Sequence, residues 1–451
     1  MRLLLLLLLL LPACAHFPLN PPLDRWDGAR GGYRFENLTR GIANTDSLLV
    51  CLSFSGGGTR ASALSYGVLQ RLSQTRIAGG SQRLIDEVDV ISASSGGAFA
   101  AAYLGLFGID AFLRDFPDRV LARDLGMEIF WHGTLNPYNA VRLLSPWFNR
   151  SDLAAELYAD TIFGQDTYTH LLRRGRPFVV LSGTDLSGGD RFEFTQDQFD
   201  LLGSSLGLVP ISRAVAASSA FPFLLTPVAF VNHPNPGGFR LPPAVLAALE
   251  DGRDERGDVV RASALDRTRY RRAWNQARLV REKQRHGWVH VTDAGVVDNL
   301  GLGWVLDSWR GGAIRTLLDE GRVSTLVIIV VNARNRPPDD MGDSPRAPGV
   351  LGVLARSLTA AIDQQAFGLT DLLLQLRDQR AHEADGAPGA PALHVVEIDL
   401  EDLPDPARRE RLLAVETTFG LEPEVVDDLI AAGSELLDRS VPYRQLEAAL
   451  R

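Results

Sequence analysis

The residues best suited to chemistry lie in Asp89-Val90-Ile91-Ser92-Ala93-Ser94-Ser95-Gly96-Gly97. An apolar run (Val88, Val90, Ile91) predicts a short buried strand that stops at a serine–glycine turn. The small residues that follow (Gly96, Gly97, Ala98, Ala100, Ala101, Ala102) predict a helix packed close to a sheet. Strand, tight turn with a central serine, helix is the geometry that presents a serine hydroxyl as a nucleophile. Such a turn is too sharp for bulky neighbours, so small residues flank it. Ser92, Ser94 and Gly96 make an S-x-S-x-G pattern, with Ser92 where glycine is usual. A second frame, Ala93, Ser95 and Gly97, also fits. Ser94 is the preferred nucleophile, because it stands three residues after Ile91, the last predicted strand position.

Acyl transfer at a serine also needs a base and N–H donors aimed at the developing oxyanion. Two other stretches supply them. Ser47 to Phe54 reads as a buried strand and runs into Ser55-Gly56-Gly57-Gly58-Thr59-Arg60. Leu64, Val68, Leu69 and Leu72 then recur at helical spacing. Strand, glycine loop, helix aims backbone N–H groups at an anion. The loop lacks the lysine and spacing of a nucleotide-binding P-loop. Val289-His290-Val291 reads as a strand that ends at Asp293-Ala294-Gly295.

Stepping outward, buried strands at 47–54, 88–91, 177–183 and 325–332 alternate with helices, among them 211–220, 350–377 and 422–438. The alternation predicts an α/β sheet with helices on both faces, whose sites form at strand carboxyl ends. The glycine loop, the serine turn and the Asp293 turn all fall at such ends.

Four ordered blocks resemble the patatin-like phospholipase family. Ser53 to Ala61 is similar to its oxyanion block, and Ile91 to Gly97 to its nucleophile block. Ala217-Ser218-Ser219-Ala220-Phe221-Pro222 is similar to its third block, and Thr292 to Asn299 to its aspartate block, with Ala294 where glycine is usual. The resemblance runs from about Tyr33 to the end of the chain, apart from a charged insertion at about 232–286. It implies a three-layer α/β/α patatin-like sheet and a Ser-Asp dyad without a catalytic histidine. Carried onto this chain, Ser94 is the nucleophile, Asp293 the base, Gly56, Gly57 and Gly58 the oxyanion hole, and Arg60 a basic position that meets a phosphate headgroup or steadies the loop. It implies hydrolysis of phospholipid or lysophospholipid esters, with no cofactor and no metal.

The remaining sequence bears on location and on rival readings. Met1-Arg2, a leucine run from Leu3 to Leu11, and Leu11-Pro12-Ala13-Cys14 resemble a bacterial lipoprotein signal. On that reading residues 1–13 are removed and Cys14 carries lipid, holding the protein on a membrane of the cell envelope; plain secretion is the alternative. Residues 14–32, rich in proline and glycine, read as a flexible tether, and 33–451 as the catalytic domain. A net charge of −9 argues against a general nucleic-acid partner. Met127 to Arg150 is aromatic and reads as irregular. The arginines of 267–285 fit either a solvated helix or a cap facing anionic lipid headgroups. Two rival functions remain: a Ser-His-Asp esterase using His382, His394 or His290, and a tethered lipid-binding protein without catalysis.

Overall fold

Apolar runs of seven or eight residues avoid water on both faces. The computed structural model, which describes residues 15–28, 30–41, 44–222, 224–251, 264–336, 349–384 and 391–451, buries them in one sheet. Its strands are β1 (Leu48–Phe54), β2 (Val88–Ala93), β3 (Phe178–Asp185), β4 (Asp190–Glu193), β5 (Val228–Val231), β6 (Trp288–Thr292), β7 (Thr325–Asn332) and β8 (Ala392–Asp399). They form an 8-stranded sheet ordered β8-β7-β1-β2-β3-β6-β5, with β4 paired to β3 off that path. From β8 to β3 the pairing is parallel. The other three strands are antiparallel to their neighbours. Every residue of β1, β2 and β3 is buried, so both faces at the sheet centre are covered.

Among the helices around the sheet are α1 (Thr59–Gln74), α2 (Gly96–Phe107), α3 (Leu125–Thr134), α4 (Pro137–Arg142), α5 (Ile211–Ser218), α6 (Pro243–Asp251), α7 (Ala264–Arg281), α8 (Gly295–Asp298), α9 (Gly303–Gly311), α10 (Val350–Ala384) and α11 (Pro423–Arg439). α1 and α2 leave the sheet from the carboxyl ends of β1 and β2, so both bring their positive amino ends to the same edge. The strand Val228–Val231 has no counterpart in the sequence reading, since its four residues are too few to stand out between prolines. The aromatic segment read as irregular is largely helical, forming α3 and α4.

The segment read as a flexible tether is held on the body. Asn20 Nδ2 donates to Ser204 Oγ at 2.9 Å and to the Val231 carbonyl at 3.0 Å. The Leu23 amide donates to the Gly203 carbonyl, and Trp26 Nε1 to Asp200 Oδ2 at 2.9 Å. Phe17 and Asn20 are buried. Composition signals an absence of regular elements, and a backbone without them can still be pinned by side chains. The leader and Cys14 lie outside the described residues.

Candidate active site

The turn after β2 carries the strain expected of a nucleophile. Ser95 sits at φ 48 and ψ −116, one of two non-glycine residues with positive φ among those described. Such a conformation costs about 1–3 kcal/mol and persists only where the surroundings enforce it. The glycines beside it enforce it by close approach. A Cβ on Gly96 would lie 2.1 Å from the Gly58 carbonyl oxygen, and one on Gly97 would lie 2.7 Å from Phe54 Cβ and Ser55 O. The serine turn and the glycine loop therefore interlock with no room for a side chain between them.

The structure sets Ser95, and not Ser94, against Asp293. Ser95 Oγ donates to Asp293 Oδ2 at 2.7 Å. Ser94 Oγ turns away and donates to the Asp298 carbonyl at 2.5 Å. β2 continues to Ala93, two residues beyond the predicted end at Ile91, which moves the turn one position along the chain. The frame that fits is Ala93, Ser95 and Gly97, present in the sequence as the second choice. Ser92 is then an ordinary strand residue; its buried Oγ has no hydrogen-bond partner among the described residues.

Asp293 reaches this turn because β6 runs against β3 and overlaps only its last residues, Thr184 opposite Thr292 and Asp185 opposite Val291. The backbone beyond β6 is tied on both sides. The Asp293 amide donates to the Ala220 carbonyl at 3.1 Å, the Ala294 amide to the Ser218 carbonyl at 3.1 Å, and Thr184 Oγ1 to the Asp293 carbonyl at 2.8 Å. Ser218 Oγ in turn accepts from the Ser95 amide at 3.0 Å, so the third sequence block braces nucleophile turn and aspartate together. The Asp293 carboxylate is buried and accepts from Ser95 Oγ and from the Gly295 amide at 2.7 Å. Burial pushes its pKa up to about 6, against the downward pull of those two hydrogen bonds. A carboxylate poised there can take and return a proton near neutral pH.

Of the three loop glycines, Gly56 has its N–H committed to the Asn299 carbonyl at 2.8 Å. The amides of Gly57 and Gly58, at φ 136 and 60, have no acceptor among the described residues. The expectation of three oxyanion donors therefore narrows to two. Arg60 lines the same cavity as Ser95 and Asp293. Its guanidinium is buried and donates to the Ala333 carbonyl at 2.9 Å, to the Val415 carbonyl, and to Thr417 Oγ1 at 3.3 Å. Of the two expected roles, meeting a headgroup or steadying the loop, those bonds support the second, since they strap the start of α1 to segments 333 and 415–417. Burial lowers the pKa of Arg60 to about 10.

Ser95, Asp293, Gly56, Gly57, Phe221 and Asn299 line a narrow cavity of about 40 Å³. Thr359, Ile362, Asp363 and Ala366 of α10 close it on another side. No histidine lines it. His290 is exposed on β6, His394 lies on β8 three strands from β2, and His382 is exposed on α10 with Nδ1 against the Asp378 carbonyl at 2.7 Å. The histidine-triad alternatives are therefore not assembled. Among the described residues no group of three or more His, Cys, Asp or Glu is placed to hold a metal, and no helix is long and apolar enough to cross a membrane.

The charged insertion places an ion-pair network behind the turn. Arg272 of α7 pairs with Glu193 at 2.9 Å and with Asp307 at 3.4 Å. Arg191 pairs with Glu193 at 2.7 Å and Asp307 at 2.5 Å, and stands 3.8 Å from Asp298.

Among solved structures, human GIVD cytosolic phospholipase A2 is 14% identical over 90% of this chain and 60% of that one, with a TM-score of 0.48. VipD from Legionella pneumophila is 12% identical over 96% of this chain and 71% of that one, with a TM-score of 0.32. The chain thus spans about three-fifths of the human enzyme's length. No curated protein matches it. The model of the family described as patatin-like phospholipase matches residues 52–302, which hold the glycine loop, both serines and Asp293. That stretch is more than half of the sequence, and the chain belongs to the patatin-like phospholipase family.

Proposed function

We propose that the protein is a lipid acyl hydrolase with Ser95 as nucleophile and Asp293 as base. The observation that carries this reading is the 2.7 Å hydrogen bond from Ser95 Oγ, held at positive φ, to a buried carboxylate that no cation neutralises. Ser95 Oγ attacks the ester carbonyl carbon as its proton passes to Asp293 Oδ2. The oxyanion faces the amides of Gly57 and Gly58, with the amino ends of α1 and α2 adding positive potential. Collapse expels the alcohol, which takes the proton from Asp293 and leaves an acyl group on Ser95. A water then attacks the acyl carbon and gives its proton to Asp293; expulsion of Ser95 returns that proton and frees the fatty acid.

Membership of the family and the buried site make carboxylic esters of phospholipids or lysophospholipids the proposed substrates. A lipid acyl on Cys14, read from the leader alone, would keep the protein on a membrane beside them. The test is mass spectrometry of products from phosphatidylcholine vesicles. Free fatty acid that disappears in Ser95→Ala supports the reading. Unchanged release in Ser95→Ala, or none from folded protein, rejects it.

A further inference from the structure

One face beside the site has no partner among the described residues. Phe130, Trp131, Leu135, Tyr138, Leu144 and Trp147 all lie on the hairpin made by α3, α4 and the turn after them. Leu135, Tyr138 and Leu144 are 71%, 68% and 73% exposed, and the other three about half. Single exposed apolar residues are ordinary, whereas a contiguous group on one element marks a contact surface. Tryptophan, tyrosine and leucine together are the side chains that settle at a lipid–water boundary.

Both ends of this hairpin are fastened to chain segments that lead to the cavity-lining Thr417 and Phe221. At the start, the Leu125 amide donates to the Phe419 carbonyl at 3.0 Å, next to Thr418, whose carbonyl accepts the Thr59 amide at 2.8 Å and packs on Gly58. At the end, Ser151 Oγ accepts from the Thr226 amide at 3.0 Å and Asn149 Oδ1 from Thr226 Oγ1 at 2.7 Å, five residues after the cavity-lining Phe221. The chain that follows Cys14 arrives at the same place. Ser145 Oγ donates to the Ala15 carbonyl at 2.7 Å, the Phe17 amide donates to the Trp147 carbonyl at 2.9 Å, and the His16 ring stacks on Trp147 at 6.0 Å.

We infer that this hairpin docks on the surface of a phospholipid bilayer, with its aromatic and leucine side chains entering the headgroup boundary. The inference rests on the lipid acyl hydrolase reading for its choice of partner. Docking is apolar and not electrostatic. The arginines near the patch are spent within the protein: Arg123 pairs with Glu128, and Arg142 pairs with Glu156 while covering the Tyr138 and Phe148 rings. The arginine-rich helix α7, considered from sequence as a cap facing anionic headgroups, turns Arg272 inward to Glu193 and Asp307. The surface therefore suits zwitterionic lipid.

The test places an environment-sensitive fluorophore on Leu135→Cys, on Leu144→Cys and, as a control, on Arg322→Cys, which is exposed just before the amino end of β7. Each is prepared as the full chain and mixed with phosphatidylcholine vesicles. The expected result is a blue shift at 135 and 144 with none at 322, unchanged when salt is raised to a Debye length of about 3 Å. The inference is overturned if 135 and 144 stay in water while the protein floats with vesicles, if 322 responds equally, or if the protein does not bind vesicles. A Phe130→Ser/Trp131→Ser variant should lose about tenfold in hydrolysis of vesicle lipid and hold its rate on a soluble short-chain ester. Equal loss on both substrates would mean damage to the fold and not to docking. If no variant hydrolyses either ester, the hydrolase reading fails, while the fluorescence result still decides the docking.

Discussion

Asp293 and Asp298 stand on the two sides of one serine turn. Both are buried, and burial raises the pKa of each. Their surroundings differ. Asp298 accepts the Leu302 amide at 3.0 Å and the Gly303 amide at 2.9 Å, faces Arg191, and takes the Ser94 hydroxyl on its carbonyl. Asp293 has two hydrogen bonds, one of them from Ser95, and no cation. A carboxylate with its charge balanced and its oxygens filled is a strut. One left half-satisfied in the interior has its pKa lifted toward neutrality, where it can both take and return a proton. The contrast supports the opposite roles proposed for the adjacent serines.

Five substitutions sharpen or break this contrast. Ser95→Ala should lower turnover at least about a thousandfold with the fold intact, as measured by fatty-acid release and thermal unfolding. Asp293→Asn should lose comparable activity yet gain on the order of 3 kcal/mol in stability above pH 7. The sign follows from the raised pKa. The folded state favours protonated Asp293, so its stabilising contribution is complete below the ordinary carboxylate range and is lost as pH rises through about 6. The gain of the variant over the natural chain should thus vanish near pH 4, and wild-type activity should climb through about pH 6 as the base ionises.

Asp298→Ala should behave as loss of a strut. It leaves Arg191 short of a charge and two buried amides without acceptors, at about 3–5 kcal/mol of stability. Denaturant unfolding reads this; a stable but inactive variant would contradict the strut role. The smallest effects belong to the unreactive serines. Ser94→Ala should lose about 1 kcal/mol with turnover within a few-fold, and Ser92→Ala, which removes an unpaired buried hydroxyl, should be neutral or slightly stabilising.

Much of the sheet centre was readable from the sequence because its strands are continuous apolar runs, and Thr325–Asn332 has the same limits in both readings. The four motif blocks located the site to within one residue. The difference came from strand length: Ser92 and Ala93 are small enough to end a strand or continue it, and pairing with Ser53 and Phe54 of β1 and with Val180 and Leu181 of β3 extends β2 to Ala93. For Arg60 two roles stayed open, since residue type does not reveal that the Ala333 and Val415 carbonyls approach from 273 and 355 residues along the chain. Charge runs were ambiguous for the same reason: composition does not say which arginines meet a carboxylate inside.

The central claim is tested most directly by treating the protein with a fluorophosphonate and locating the adduct by peptide mass spectrometry. The account predicts a single modified residue, Ser95, labelled in Ser94→Ala and unlabelled in Ser95→Ala. An adduct on Ser94 that survives in Ser95→Ala would contradict it.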